Sequence, residues 1–268
     1  MTDAKILAID IERQSALVDG VWEGKQYGSW IAPERVIEPP RTICFAYRWI
    51  DDPNHKTKFV AEWDGNLPQD NQSHTPGGGH QNMVEQAWDL LSAADYVVGY
   101  NSKNFDVKHL NTAFWYYDLT PPAPHVDIDL MKEISRNFNP YAKSMRYVAK
   151  AKAMEGKENT ENGLWRTLRF GQGDVLRRAR RSMKSYNMRD VDQTVELYYD
   201  TRPWLRGMNL GLWTEDGEMH CPNCNSTHIT KQGTRKSATR VYTRFQCQDC
   251  GKWLKDTHCI ASTNVTGI

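Results

Sequence analysis

Residues 6–13 read ILAIDIER. Four consecutive apolar residues require a dry strand, yet they run straight into two carboxylates one residue apart. Side chains at positions i and i+2 of a strand share a face, so Asp10 and Glu12 would stand side by side and repel. Two readings are open for this stretch alone. The strand ends at Ile9 and both acids meet water, or the two acids share a divalent cation, for which carboxylate oxygens are natural ligands. Acids elsewhere in the chain decide between them.

The surrounding pattern alternates strands and helices. Residues 5–9, 41–50 and 56–63 have the composition of strands, the last two joined through DDPNH as a hairpin turn. Residues 82–95 carry a helical repeat of apolar positions, and YVVGY (96–100) follows as a short buried strand. A helix over about 105–117, an extended VDID at 126–129, helical stretches near 130–137 and 143–154, and a last large helix over about 185–200 complete the series. The expected class is α/β: a mixed sheet with helices packed on its faces. Residues 64–81, DGNLPQDNQSHTPGGGHQ, are expected to be a polar surface loop, because the glycines lack the Lys and Ser/Thr of a phosphate-binding loop.

Two further acidic motifs lie far from the first. In YVVGYNSKNFDVKHL a buried strand ends at Tyr100, a polar turn follows, and Asp106 falls in the first turn of the next helix, where the helix dipole favours a carboxylate. In SYNMRDVDQTVELY, Tyr186 and Asp190 are four apart and share one helix face, while Asp192 is expected on the solvated side. Val191, Thr194 and Val195 are placed to pack on the sheet.

Together these motifs resemble the DEDDy branch of the DnaQ-like 3′–5′ exonucleases, which share the ribonuclease H-like fold. More narrowly they are similar to stand-alone phage exonucleases related to the proofreading domain of family B DNA polymerases. The resemblance covers residues 5–204 and extends to VIEPPRTICFAYRW, GYNSKNFDVKHLN, VDIDLM and KSMRYVAKA. It implies that Asp10, Glu12, Asp106 and Asp190 bind metal and that Tyr186 orients the attacking water. Many relatives have Thr or Ser after the acidic triplet, where this chain has Arg13. His109 is read as structural, because the last acid is preceded by a tyrosine. Four carboxylates also make independent chemical sense. Two ions about 3.5–4 Å apart activate a water and stabilise the leaving oxygen in an in-line displacement at phosphorus, and Mg²⁺ or Mn²⁺ suits an all-oxygen site.

Basic residues concentrate ahead of the third motif: Arg166, Arg169, Arg177, Arg178, Arg180, Arg181, Lys184 and Arg189 are accompanied by the single acid Asp174. If residues 175–184 are helical, Arg177 and Arg181 belong to a basic face that can grip phosphates. Asn101 and Phe105, in the turn before Asp106, are candidate contacts to a terminal nucleotide, the ring by stacking on its base. Net charge is only +1, so any nucleic-acid affinity must come from such local patches.

The six cysteines include two Cys-x-x-Cys pairs, Cys221/Cys224 and Cys247/Cys250. Four thiolates in this arrangement fit tetrahedral Zn²⁺, and a segment this short has too little core to fold without it. The tail is similar to the zinc ribbons of transposases and transcription factors, and between its pairs lie Lys231, Arg235, Lys236, Arg240 and Arg244 without an acid. His220, His228 and His258 are rival ligands. The expected organisation is an exonuclease domain at 1–204, a connector at 205–218, a zinc ribbon at 219–258 and a tail at 259–268. No stretch has the apolar length of a bilayer span and MTDAKILAID lacks a signal pattern, so the expected location is the cytoplasm, that of the host if the chain is phage-encoded. The expected substrate is DNA, with single-stranded 3′ ends, in phage replication, recombination or repair, with a replication or recombination protein as a further partner. An RNA 3′ exonuclease on the same fold and a non-catalytic nucleic-acid-binding adaptor are the alternatives.

Overall fold

A computed structural model describes residues 4–19, 31–50, 54, 56–64, 78–154 and 163–266. The chain opens with β1 (Ile6–Gln14), then the short pair β2 (Leu17–Val18) and β3 (Val36–Glu38), followed by β4 (Arg41–Trp49) and β5 (Lys58–Ala61). Next come α1 (Gly78–Ala93), β6 (Tyr96–Gly99), α2 (Asp106–Tyr116), β7 (Val126–Asp129) and α3 (Leu130–Asn137). The helices α4 (Met145–Ala151), α5 (Leu164–Phe170) and α6 (Gly173–Thr201) lead to the C-terminal strands β8 (Ile229–Lys236), β9 (Arg240–Cys247) and β10 (Trp253–Ser262).

The main sheet has the order β5-β4-β1-β6-β7. Its left half is antiparallel, with β4 against β1 and β5, and its right half, β1-β6-β7, is parallel. The mixed α/β architecture with helices on both faces is therefore the expected one. The run ILAI is apolar at every position because β1 is central and covered on both sides. Ile6 and Ala8 face a core built with α3, α4 and α6, whereas Leu7, Ile9 and Ile11 face α1 and α2. By the same alternation Asp10 and Glu12 lie on the α6 face. The strand does not end at Ile9: it continues through both acids to Gln14, and a register shift follows Glu12.

Several boundaries move. The last helix begins at Gly173 rather than near 185, absorbing the basic run from Arg177 onward, while Arg166 and Arg169 lie in α5. Residues 78–81, expected in a loop, open α1. There Gly79 lies so close to β5's end that a Cβ would stand 2.3 Å from the Glu62 carbonyl oxygen, a reason for glycine unrelated to loop flexibility. The rest of that loop, 65–77, and most of the DDPNH turn lie outside the described residues. The stretch 205–218 is not a tether: Leu205, Met208 and Leu210 are buried in the core beside Tyr198, and Asn209 N–H donates to the Tyr96 hydroxyl at 3.1 Å. Asp192, expected in solvent, accepts from Thr57 Oγ1 and lies 3.5 Å from Arg48. The third ribbon strand runs past residue 258, to Ser262. Among the described residues no helix is long and apolar enough to cross a membrane.

Buried His80, at the start of α1, is held by the Tyr117 hydroxyl at 2.8 Å. Burial, assisted by the Arg41 cation, pushes its pKa down to about 4, so it is neutral in the fold. An unfolded chain takes up this proton below about pH 6.5. The contribution is therefore complete above that pH and is lost as pH falls toward 4, at most about 3 kcal/mol. Chemical denaturation between pH 7 and 4.5 should show stability falling with pH, and His80→Asn should flatten that slope.

Candidate metal centre and zinc ribbon

The acidic centre is built where β1 outruns its parallel neighbour. Pairing of β1 with β6 ends at Ala8 and Val98, so the next inward-facing donors of β1 need another partner. Asp106 supplies one: its Oδ1 accepts from Ile11 N–H at 3.0 Å, between the two acids of the strand. The chain reaches this point through a tight turn. A Cβ on Gly99 would come 2.4 Å from Ser102 Cβ, and Asn101 adopts a left-handed conformation, φ 63°, with its N–H donating to Asp129 Oδ1 at 3.0 Å. Asp129 also caps α3 by accepting from Lys132 N–H.

From the opposite side α6 crosses β1 and β4. Among its buried residues, Ala179, Met183, Asn187, Asp190, Val191, Thr194, Val195 and Tyr198 follow helical spacing, which places Asp190 on the face toward the strand acids. Carboxylate oxygens of Asp10, Glu12 and Asp190 lie within 4.8 Å of one another. Asp106 is not in that trio; its carboxylate is bound to the strand backbone at Ile11. The neighbours across the sheet are small, Ala46 opposite Asp10 and Cys44 opposite Glu12, which leaves room between the acids and α6. An all-oxygen trio of this size fits Mg²⁺ or Mn²⁺ better than softer ions.

The electrostatics follow from this crowding. Burial pushes Asp106 up to about 7, against the N–H donors of Ile11 and its own backbone, with Asp129's charge adding to the rise. A bound cation would favour its ionised form. Cys44 is held protonated by burial and then by Glu12 and Asp10. Tyr186, half-buried and edge-on to Trp165, is raised first by burial and then by the charges of Asp190, Glu12 and Asp10. Its phenol keeps its proton at any working pH.

Asn187 escaped the sequence reading. It is fully buried, and its Nδ2 donates to Asp10 Oδ2 at 2.7 Å and to the Asp10 carbonyl at 3.1 Å, fixing the carboxylate's orientation. Its only trace in sequence is its place one residue after Tyr186 and three before Asp190. Phe105, just before α2, is 41% exposed and meets His109 edge-on at 4.7 Å. His109 Nε2 receives an Arg13 N–H at 3.0 Å, and Arg13 also donates to the Pro40 carbonyl. His109 is thus a structural acceptor that holds Arg13 in place.

The basic run divides. Arg169 reaches the Ser15 carbonyl and Glu38, Arg180 lies over Trp63 at 5.3 Å, and Arg189 pairs with Glu196 at 3.3 Å, so these three serve the fold. Arg177 is exposed and pairs with Asp174, and Arg178 and Arg181 are exposed on the same helix.

In the C-terminal unit the four cysteines converge, their sulfurs within 4.8 Å of one another. Cys221–Cys250 and Cys224–Cys247 are each 3.6 Å apart. A disulfide would be about 2 Å, whereas thiolates bound at about 2.3 Å around tetrahedral zinc stand about 3.8 Å apart. Each pair is turned the same way: Asn225 and Gly251, both at positive φ, return their N–H groups to the Cys221 and Cys247 carbonyls. The rival histidines are engaged elsewhere or exposed. His220 bonds Asp216 and the Asn225 carbonyl, His228 bonds Asp249, and neither belongs to the cysteine cluster. Arg235, Arg240 and Arg244 are exposed on β8 and β9.

The sheet carries paired acids on its central strand and a third acid from the last long helix, a trio that could hold a metal ion. A family model described as RNase_H superfamily matches residues 60–201, and the chain belongs to that superfamily. The match takes in Asp106, Tyr186 and Asp190 and begins after β1. No curated protein matches the chain.

Two outcomes are expected here. Asn187→Ala should weaken Mn²⁺ binding about tenfold, measured by calorimetry, with little loss of secondary structure. The purified chain should release one zinc per molecule when its thiols are titrated, and Cys247→Ser should lose the metal and the protection of β8–β10 from proteolysis.

Proposed function

We propose that the chain is a two-metal-ion 3′–5′ exonuclease that hydrolyses DNA, preferentially at single-stranded 3′ ends, to nucleoside monophosphates. The observation that carries this reading is the convergence of Asp10, Glu12 and Asp190 within 4.8 Å beside a phenol held in its protonated form. When bound, divalent ions supply an activated water and compensate charge on the leaving 3′ oxygen. The chain's own residues do the rest. Asp10, oriented by Asn187, converges with Glu12 and Asp190, and Asp106 is fixed by the Ile11 amide on the strand between them. Tyr186 can donate a hydrogen bond that positions the water and cannot remove its proton. Phe105 offers an exposed ring for a terminal base, with Asn101 at the start of the same turn. Arg177 and Arg181 lie N-terminal to Tyr186 on α6, where they can draw in phosphates. The resemblance noted from sequence adds the 3′–5′ polarity and a setting in phage DNA replication, recombination or repair.

Digestion of a 5′-labelled single-stranded oligonucleotide with Mg²⁺ or Mn²⁺, beside an RNA of the same sequence, tests this directly. A ladder shortening from the 3′ end of DNA is expected. It should vanish with Asp190→Ala and slow about a hundredfold with Tyr186→Phe, metal dependence unchanged. Degradation of RNA alone would move the substrate to RNA. Activity surviving in the Asp10→Ala, Glu12→Ala double variant would overturn the metal assignment.

A further inference from the structure

The ribbon sheet has two unlike faces. Along β9, Val241, Thr243 and Phe245 alternate with Arg240, Tyr242 and Arg244; Thr243 is buried, whereas Arg240 and Arg244 are exposed. Cross-strand register extends the second set: Arg235 is opposite Tyr242 on β8, and Lys255 is opposite Arg244 on β10. Trp253, two residues before Lys255 and on the same face, is 51% exposed.

Directly opposed like charges weaken a sheet, so the Arg244–Lys255 pair is not explained by stability. Each cation leans instead onto a ring. Arg244 lies 4.8 Å from the centroid of Trp253, and Lys255 lies 4.2 Å from that of Tyr242. Arg244 is further fixed by donating from Nε to the Gln232 carbonyl at 2.9 Å. Among the described residues none of Arg235, Arg240, Arg244 or Lys255 is paired with a carboxylate.

We infer that this face is a second nucleic-acid site, one that binds single strands by stacking bases on Trp253 and Tyr242 while Arg235, Arg240, Arg244 and Lys255 take the phosphates. Alternating rings and cations match the alternating bases and phosphates of a strand. A duplex hides the base faces that the rings would stack on, so single strands are favoured. The face carries cationic charge with no acid to cancel it, and hydrogen-bond readout plays no part, so sequence preference should be weak. The inference builds on the nuclease reading above, to which it adds a tether that keeps a substrate attached between cleavage events. Binding itself does not require cleavage.

The test uses the full-length, zinc-loaded chain without Mg²⁺ or Mn²⁺, and follows fluorescence anisotropy of labelled oligo(dT), oligo(U) and a DNA duplex. Trp253→Ala with Tyr242→Ala should weaken single-strand binding at least tenfold, Trp253→Phe should restore most of the loss at that position, and duplex binding should change little. Arg244→Gln with Lys255→Gln should also flatten the salt dependence. Zinc content and circular dichroism matching the parent exclude misfolding as the cause. Unchanged single-strand affinity in the aromatic double variant would overturn the inference, as would polyglutamate competing as well as oligonucleotide. Cleavage is read separately on addition of Mg²⁺. If no protein cleaves but binding still depends on the face, the nuclease reading fails and this one stands; if cleavage is normal and binding ignores the face, the reverse holds.

Discussion

Three carboxylates with oxygens inside 4.8 Å repel one another by about 3 kcal/mol per pair at an effective dielectric of about 20. Much of the chain around them serves to hold that arrangement against its own repulsion. Burial of β1 on both faces makes the strand rigid through Asp10 and Glu12, and the long α6 delivers Asp190 on a helix whose buried stripe leaves it little freedom. Asn187 neutralises part of Asp10's demand with a fixed donor, while the Ile11 amide does the same for Asp106. Three carboxylates held this close form a group that could hold a divalent cation.

The convergence of Asp10, Glu12 and Asp190 was legible only from the motifs taken together: strand alternation, a helix start and four-residue spacing are each weak signals alone. Their partners carry none. Asn187 looks like any helical polar residue until the fold brings it to a strand 177 positions away, and Asp129 reads only as the end of the extended VDID although it caps α3 and fixes Asn101. The apolar run of β1 was legible as buried, but its length was not, since two acids in a strand normally mark its end. Only the pairing with β4, which runs as far as Gln14, carries the strand past them.

The stretch after α6 misled for a similar reason. Pro203, Gly207 and Gly211 give it the look of a linker, yet Leu205, Met208 and Leu210 drop into the core from successive irregular turns. Irregular backbone can bury side chains as well as a helix does when its own polar groups find partners. Here they do: the carbonyls of Arg202 and Leu205 accept from Asn223, Leu205's also accepts from Lys252, and Leu210 N–H donates to the Pro222 carbonyl. No periodicity announces such burial.

Those same bonds tie the cysteine cluster to the domain that carries the acidic trio. Asn223 lies between Cys221 and Cys224, is 1% exposed, and grips the chain as it leaves α6. Lys252, just beyond Cys250, reaches the same Leu205 carbonyl. The knuckles that would close around zinc are therefore also the contacts by which the ribbon holds the RNase H-like core, so ordering the cysteines orders the docking. The cations Arg235, Arg240, Arg244 and Lys255 of the ribbon sheet are exposed and take no part in those contacts. An appendage docked through its cysteine knuckles is held to the core by the same turns that gather the four sulfurs, so its attachment and its cysteine cluster form or fail together.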